Sequence, residues 1–250
     1  MTVYELYKKL DAAIPASLSC EWDNDGLMCC PDGAREVRRA LVCLDVTSEV
    51  IKAAIDGNYD VVVSHHPFIF KGLKSLDEGD FIPKRVITIL KEGISVMSFH
   101  TRLDALDGGV NDSLCTLLGI KDAVPFGEGI GRIGELNEST DIISFAKKAK
   151  DVLGAPTVHV ADAKKCVSKV AVLGGSGKDE LYAAIAAGAD TFLSGELGHH
   201  SLTDAPDLGI NLIEAGHFYT EDHVCAVLCG MIREYGIEAD YFNSNNVLVI

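Results

Sequence analysis

Apolar positions along the chain fall into short runs and helical stripes that alternate. Val3, Leu6, Tyr7 and Leu10 recur at helical spacing and predict an amphipathic helix over 2–13. Residues 22–27, WDNDGL, read as a turn. Residues 40–46, ALVCLDV, form a nearly unbroken apolar run, the pattern of a strand buried on both faces. Thr47 is placed to cap a helix over 48–57, and Asn58 to end it. A second buried strand at 61–63 runs into Ser64-His65-His66-Pro67. Pro83 opens a helix that ends near Gly93. A strand over 94–99 runs into His100-Thr101-Arg102-Leu103-Asp104, and a helix covers 109–118.

The stretch 121–137 breaks this rhythm. Gly127, Gly129, Gly131 and Gly134 make it glycine-rich, and it reads as a connection between domains. The alternation then resumes. Helices are predicted at 140–153, 178–187, 198–205 and 220–235. Strands are predicted at 157–161, 170–173, 191–193 and 211–213, with closing strands at 241–242 and 247–250. Strands alternating with helices indicate an α/β fold with a largely parallel sheet.

The two halves also resemble each other. Residues 40–64 lie over 170–194 without a gap, placing Ala53, Ala54, Ile55, Asp60 and Ser64 on Ala183, Ala184, Ile185, Asp190 and Ser194. After a deletion, Gly93-Ile94 falls on Gly209-Ile210. The chain therefore reads as two related α/β units with mixed, largely parallel sheets. Residues 1–125 with 215–250 are expected to form one domain, and 126–214 a second that is a pseudo-repeat of the first.

Composition narrows the function. Of 250 residues, 48% are apolar and 24% charged, proportions of a globular chain able to bury a real core. The net charge of −15 and the lack of a basic run argue against a nucleic-acid partner held by phosphate contacts. No apolar run approaches the roughly 20 residues a membrane span needs. Glu5, Lys8, Lys9 and Asp11 break up the N-terminus, so it does not read as a signal peptide, and a cytoplasmic location is expected. The eight cysteines are scattered without a CxxC pair and read as thiols, most of them small core residues.

In open α/β sheets ligands gather beyond the carboxyl ends of the strands. Three such ends carry unusual residues: His65-His66; His100 with Asp104; and Glu214 with His217 and Glu221. Imidazole nitrogens with carboxylate oxygens suit Zn, Fe, Mn or Co as divalent ions. Neighbours on an extended strand point in opposite directions, so His65 and His66 need either two metals or a turn directly after the strand. Glu221 has two oxygens and is able to bridge two ions about 3.5–4 Å apart. His159 lies in an apolar strand and reads as structural. His223 reads as support for the ligands or as helix surface.

These residues carry a family resemblance. SHHPFIF, FHTRLDAL followed by GGVND, SGELGHHS, EAGHFYTED and the early WDNDGL resemble the NIF3-like proteins, also called GTP cyclohydrolase 1 type 2 homologs, from about residue 4 to 245. The resemblance implies the NIF3-like fold and two divalent metal ions per subunit. It implies ligands at His65, His66, Asp104, His217 and Glu221, with Glu221 shared by both ions. It also implies a homohexamer, a trimer of dimers with sites facing an internal cavity. Some members carry an inserted middle domain, for which 121–137 leaves no room.

Two divalent ions against Asp104 and Glu221 leave a positive centre inside an acidic protein. Such a centre lowers the pKa of water to about 7 and prefers an anionic or carbonyl-bearing ligand. His100 is then a candidate proton shuttle. Glu196, His199 and His200 are candidates for orienting substrate, and Arg102 for meeting a phosphate unless it forms a surface ion pair. Gly174–Lys178 lacks P-loop spacing and reads as an anion-holding helix start or a tight turn. The expected function is a dinuclear metal-dependent hydrolase acting on a small nucleotide-like or phosphorylated molecule, with GTP cyclohydrolase-type ring opening suggested by the family name. The alternatives are a metal-handling or chaperone protein and a regulatory scaffold without turnover.

Overall fold

The computed structural model describes residues 1–250. In chain order the elements begin with α1 (Val3–Ala13), a 3-10 turn (Ala16–Leu18), β1 (Gly26–Cys29), β2 (Arg39–Cys43), α2 (Ser48–Asp56), β3 (Val61–Ser64), α3 (Phe81–Lys91) and β4 (Ser95–Ser98). There follow α4 (Thr101–Ala105), α5 (Val110–Leu118), β5 (Ile120–Phe126), β6 (Gly131–Thr140), α6 (Ile142–Leu153), β7 (His159–Ala161) and β8 (Val167–Ser176). The remainder is a 3-10 turn (Lys178–Glu180), α7 (Leu181–Ala186), β9 (Thr191–Glu196), α8 (His199–Leu208), β10 (Asn211–Glu214), α9 (His217–Glu221), α10 (Val224–Glu234) and β11 (Glu238–Tyr241). No helix is long and apolar enough to cross a membrane. The chain divides into two units, residues 1–103 with 224–248 and residues 104–223 with 249–250.

The first unit holds a five-stranded sheet in the order β1-β4-β3-β2-β11, with β1 alone antiparallel to its neighbour. Two of its helices start at side-chain caps. Thr2 Oγ1 accepts from Glu5 N while Glu5 Oε2 accepts from Thr2 N, a reciprocal capping box on α1. Thr47 Oγ1 accepts from Val50 N at the start of α2. Val50, Ile51 and Ala54 of α2 and Val86 and Ile89 of α3 pack on Leu41, Cys43, Val62 and Val96. Burying each Val, Leu or Ile side chain among these stabilises by about 1.5–3 kcal/mol.

The second unit holds a six-stranded sheet in the order β5-β6-β8-β9-β10-β7, in which β8, β9 and β10 are parallel. Alternation along β8 shows why its apolar run is unbroken. Val170 and Val172 join a core with Leu114, Phe145 and Ala149 of α5 and α6. Ala171 and Leu173 join another with Leu181, Ala184 and Ala205 of α7 and α8.

The internal repeat is visible in the hydrogen-bond register. Ala40 faces Val61 as Val170 faces Thr191, and Val61 faces Ser95 as Thr191 faces Asn211. Asp60 Oδ2 accepts from the backbone N–H groups of Arg38 and Arg39, and Asp190 Oδ2 does the same for Ser168 and Lys169. Even the short helices α4 and α9, after the third parallel strand of each repeat, occupy matching positions. The helix after each short helix is exchanged, however. α5 follows the first repeat but belongs to the second unit, and α10 follows the second repeat but belongs to the first.

Several elements differ from the sequence reading. The stretch 121–137 is not a linker but the hairpin of β5 and β6. Its glycines serve close strand approach: a Cβ at Gly131 would lie 2.3 Å from the Phe126 ring, and one at Gly134 2.3 Å from Lys121 O. The expected domain passages at 125/126 and 214/215 accordingly fall instead at 103/104 and 223/224, because α5 and this hairpin pack with the second sheet. The 220–235 helix is two helices, and 247–250 forms no strand. β1 and α4 were not anticipated. Five of the cysteines are buried; burial pushes the Cys29 thiol up to about 11 and the Cys115 thiol up to about 12, so both stay protonated packing groups.

Burial works against ionised Asp60, yet the N–H groups of Arg38 and Arg39 and the Arg35 guanidinium hold its carboxyl below the usual range. A lowered folded-state pKa means that its stabilisation is full above the unfolded value of about 4 and is lost as pH falls through the folded value. Asp60→Ala is expected to cost about 1–3 kcal/mol at neutral pH, read by urea unfolding, with the gap to wild type closing on acidification.

Candidate metal centre

The first donor set is built at the ends of β3 and β4. Ser64 is buried; its hydroxyl donates to His66 O at 2.8 Å and lies 2.9 Å from Ser98 Oγ. This folds the chain immediately after β3, so His65 and His66 do not diverge. Their ring centroids are 5.0 Å apart, and His100 lies 5.3 and 5.7 Å from them. One ring nitrogen from each of the three falls within 4.8 Å of the others.

Each Nδ1 faces an acceptor. His65 Nδ1 is 2.9 Å from Phe99 O, His66 Nδ1 2.8 Å from Asp45 Oδ1, and His100 Nδ1 2.9 Å from Asp23 Oδ1. A carbonyl or carboxylate oxygen only accepts, so the proton of the neutral ring sits on Nδ1. Nε2 then carries the lone pair, as a metal-ligating imidazole requires.

Beneath His100 lies a carboxylate platform that the turn-like WDND sequence concealed. Asp23 Oδ2 accepts from Thr101 N at 3.0 Å and from its hydroxyl at 2.7 Å. Burial works to raise the Asp23 carboxyl, but the hydrogen bonds from His100 and Thr101 prevail and hold it far below the usual range. Asp25 Oδ2 accepts from His100 N and from Arg102 Nε. Arg102 also donates to Asp11 Oδ1 at 2.6 Å and Ile14 O at 2.9 Å. It is 1% exposed, so it is neither a phosphate ligand nor a surface ion pair; it clamps α4 to the N-terminal segment. Gly26, with φ of +107°, lets this platform close, since a Cβ there would lie 2.9 Å from Tyr7 Oη and 3.3 Å from Arg102 Nη2.

The second donor set follows β10. His217 Nε2 is 3.1 Å from Glu221 Oε2, one helical turn on, and His217 Nδ1 is 3.2 Å from Glu196 Oε1. Glu221 is 4% exposed. The glycines before Lys178 make room for it: a Cβ at Gly174 would lie 3.0 Å from Glu221 Cγ, and one at Gly175 2.2 Å from Oε1. That segment is therefore a cradle for α9, not an anion-binding helix start. Thr220 Oγ1 accepts from Gly175 N, and Asn111 Oδ1 from Gly174 N. Asn111 Nδ2 in turn donates to the backbone oxygen of Asp104, which is buried on α4.

Other histidines and acids take supporting places. Burial opposes ionisation of Glu214, but the N–H groups of Leu197 and Gly198 and the His159 ring lower its pKa, tying the end of β10 to the start of α8 and to β7. His223 Nε2 lies 3.0 Å from Val110 O. His199 and His200 are exposed on the first turn of α8, with ring centroids 5.6 Å apart. Asp23, Asp25 and Asp45 were missed as site residues; the signal for Asp23 and Asp25 was the WDNDGL motif, and for Asp45 its place at the end of the 40–46 run.

The Duf34/NIF3 (NGG1p interacting factor 3) family model matches residues 1–246. A "GTP cyclohydrolase 1 type 2 homolog" from Nostoc sp. is 34% identical, with 87% of this chain and 84% of that protein covered. A "Protein NIF3 homolog" from Schizosaccharomyces pombe is 31% identical, with 96% and 94% covered. Among solved structures, Staphylococcus aureus protein SA1388 superposes with a TM-score of 0.89 at 26% identity over 100% of this chain and 99% of that one. Reduced HcgD from Methanocaldococcus jannaschii gives 0.85 at 27%, covering 96% and 97%.

Removing the buried guanidinium strands Asp25, whose side chain is 6% exposed. Arg102→Met is expected to cost about 3–5 kcal/mol in urea unfolding.

Proposed function

The chain belongs to the Duf34/NIF3 family, and from that premise we propose that it binds two divalent metal ions and hydrolyses a small nucleotide-like or phosphorylated molecule. The ligands in this reading are His65, His66, Asp104, His217 and Glu221, with Glu221 shared. The observation that carries it is the set of three imidazoles whose Nδ1 atoms each face a fixed acceptor, two of them the proposed ligands His65 and His66. The glycine cradle around buried Glu221 supports it, since space was made for a carboxylate where an apolar contact would cost less.

The donor set of imidazole nitrogen and carboxylate oxygen fits Zn, Fe, Mn or Co. Bound there, such ions would supply Lewis acidity to a carbonyl, phosphoryl or ring carbon. His100, anchored by Asp23, is the residue assigned to carry a proton. Glu196 orients His217 through Nδ1. The names of the curated relatives, homologs of GTP cyclohydrolase, favour a guanine-like ring as the group attacked. The same reading includes a homohexamer, a trimer of dimers.

The second reading, a metal-handling protein, draws on the partial exposure of His66 and His217, whose side chains are 21% and 35% accessible and open to ligand exchange.

His65→Ala and Glu221→Gln are expected to abolish bound metal in elemental analysis while leaving the far-UV circular dichroism unchanged; metal content equal to wild type would refute the ligand assignment. Metal-loaded protein is expected to turn over a member of a nucleotide panel that includes GTP, many times per site. Transfer of metal to an apo-acceptor with no turnover would decide for the carrier. Light scattering is expected to give six times the 26.7 kDa chain mass.

A further inference from the structure

Trp22 and Phe70 lie beside the first donor set and take no part in the chemistry described. Trp22 is 62% exposed and Phe70 47%, although each is a large apolar ring. Their centroids are 6.2 Å apart at 68°. Both also meet His100, Trp22 at 6.1 Å and 75° and Phe70 at 6.2 Å and 86°. Three nearly perpendicular rings thus form an open corner with the imidazole as its inner wall.

This corner is held in place. Asp23, next to Trp22 in sequence, is buried and bonded to His100 and Thr101. Asn24 Nδ2 donates to the backbone oxygen of Ile69, next to Phe70, and so ties the two aromatic loops together. The rings are therefore presented to solvent on a braced backbone.

We infer that this corner is the recognition site for a planar nitrogen heterocycle of purine size, stacked on the open face of Trp22 with Phe70 as side wall. The inference rests on the function proposed above, since it delivers the ring to His100. A flat ring fits because Trp22 offers a π-face and the two perpendicular rings bound its edge; aromatic pairs favour offset-stacked or edge-to-face contacts of this kind. The corner is walled by rings on three sides, so recognition falls on the ring and not on a phosphate. Lys71 and Lys74 follow Phe70 on the same exposed loop and are available to an anionic substituent.

Trp22 is the only tryptophan of the chain, so its fluorescence reports this corner alone. Metal-loaded protein is titrated with guanosine, GTP and inorganic triphosphate. Saturable quenching by the first two and none by the third is expected. In Phe70→Ala the quenching midpoint should rise about 5–150-fold, the range for losing one aromatic contact to a base. Trp22→Ala, followed by equilibrium dialysis of guanosine, should lose affinity to a similar extent. Both variants alter exposed side chains and should keep wild-type metal content and circular dichroism. Unchanged affinity in both variants would overturn the inference, as would emission that shifts to the blue with protein concentration, which would place another copy of the chain on the corner. Protein that holds metal and turns over a substrate without Trp22 quenching would sink the ring site and leave the hydrolase standing. Quenching with no metal and no turnover would sustain the ring site and sink the hydrolase.

Discussion

Arg102 keeps a full positive charge at 1% exposure, and it does so because Asp25, Asp11 and the carbonyl of Ile14 surround its guanidinium. Removing a cation from water costs several kcal/mol unless its donors are met. Here they are met by residues distant in sequence, and this fixes where the 100–102 segment lies against the N-terminal helix and turn. The same Asp25 receives the backbone N–H of His100, while Asp23 takes its imidazole. The position of His100 is thus a by-product of a charge that had to be neutralised.

The repeat shows one framework given two chemistries. The backbone after β3 presents His65 and His66; the matching positions are Gly195 and Glu196, the last two residues of β9. Glycine there is forced by neighbours, since a Cβ at Gly195 would lie 2.7 Å from the Cα of His217. The second repeat gave up a ring at that point and gained room for α9. Asp60 and Asp190, by contrast, use Oδ2 in the same way in both repeats, because the start of the first parallel strand leaves the same backbone donors in need of an acceptor.

Much of this was legible in the sequence. The parallel strands were, because burial on both faces makes their runs continuous, and so were the polar residues that end them, His65, His66, His217 and Glu221 among them. The repeat was legible because Asp60 and Ser64 recur as Asp190 and Ser194. What stayed hidden depended on contacts far along the chain. Asp23 and Asp25 look like turn residues until Thr101 and Arg102 are set against them. Gly131 and Gly134 look like a linker until the Phe126 ring and Lys121 are seen pressed on them. Arg102 looked solvent-facing because its partners lie some 77 to 91 residues away.

The exchange of α5 and α10 bears on how such a chain is inherited. The core of the second unit includes Leu114 and Leu118 of α5, a helix encoded with the first repeat. α10, encoded with the second, packs on β2 and β11 of the first unit. A gene cut between the repeats would therefore yield two polypeptides, each with a bare side to its sheet and an orphaned helix. Neither repeat, cut out by itself, would carry all the elements of one unit.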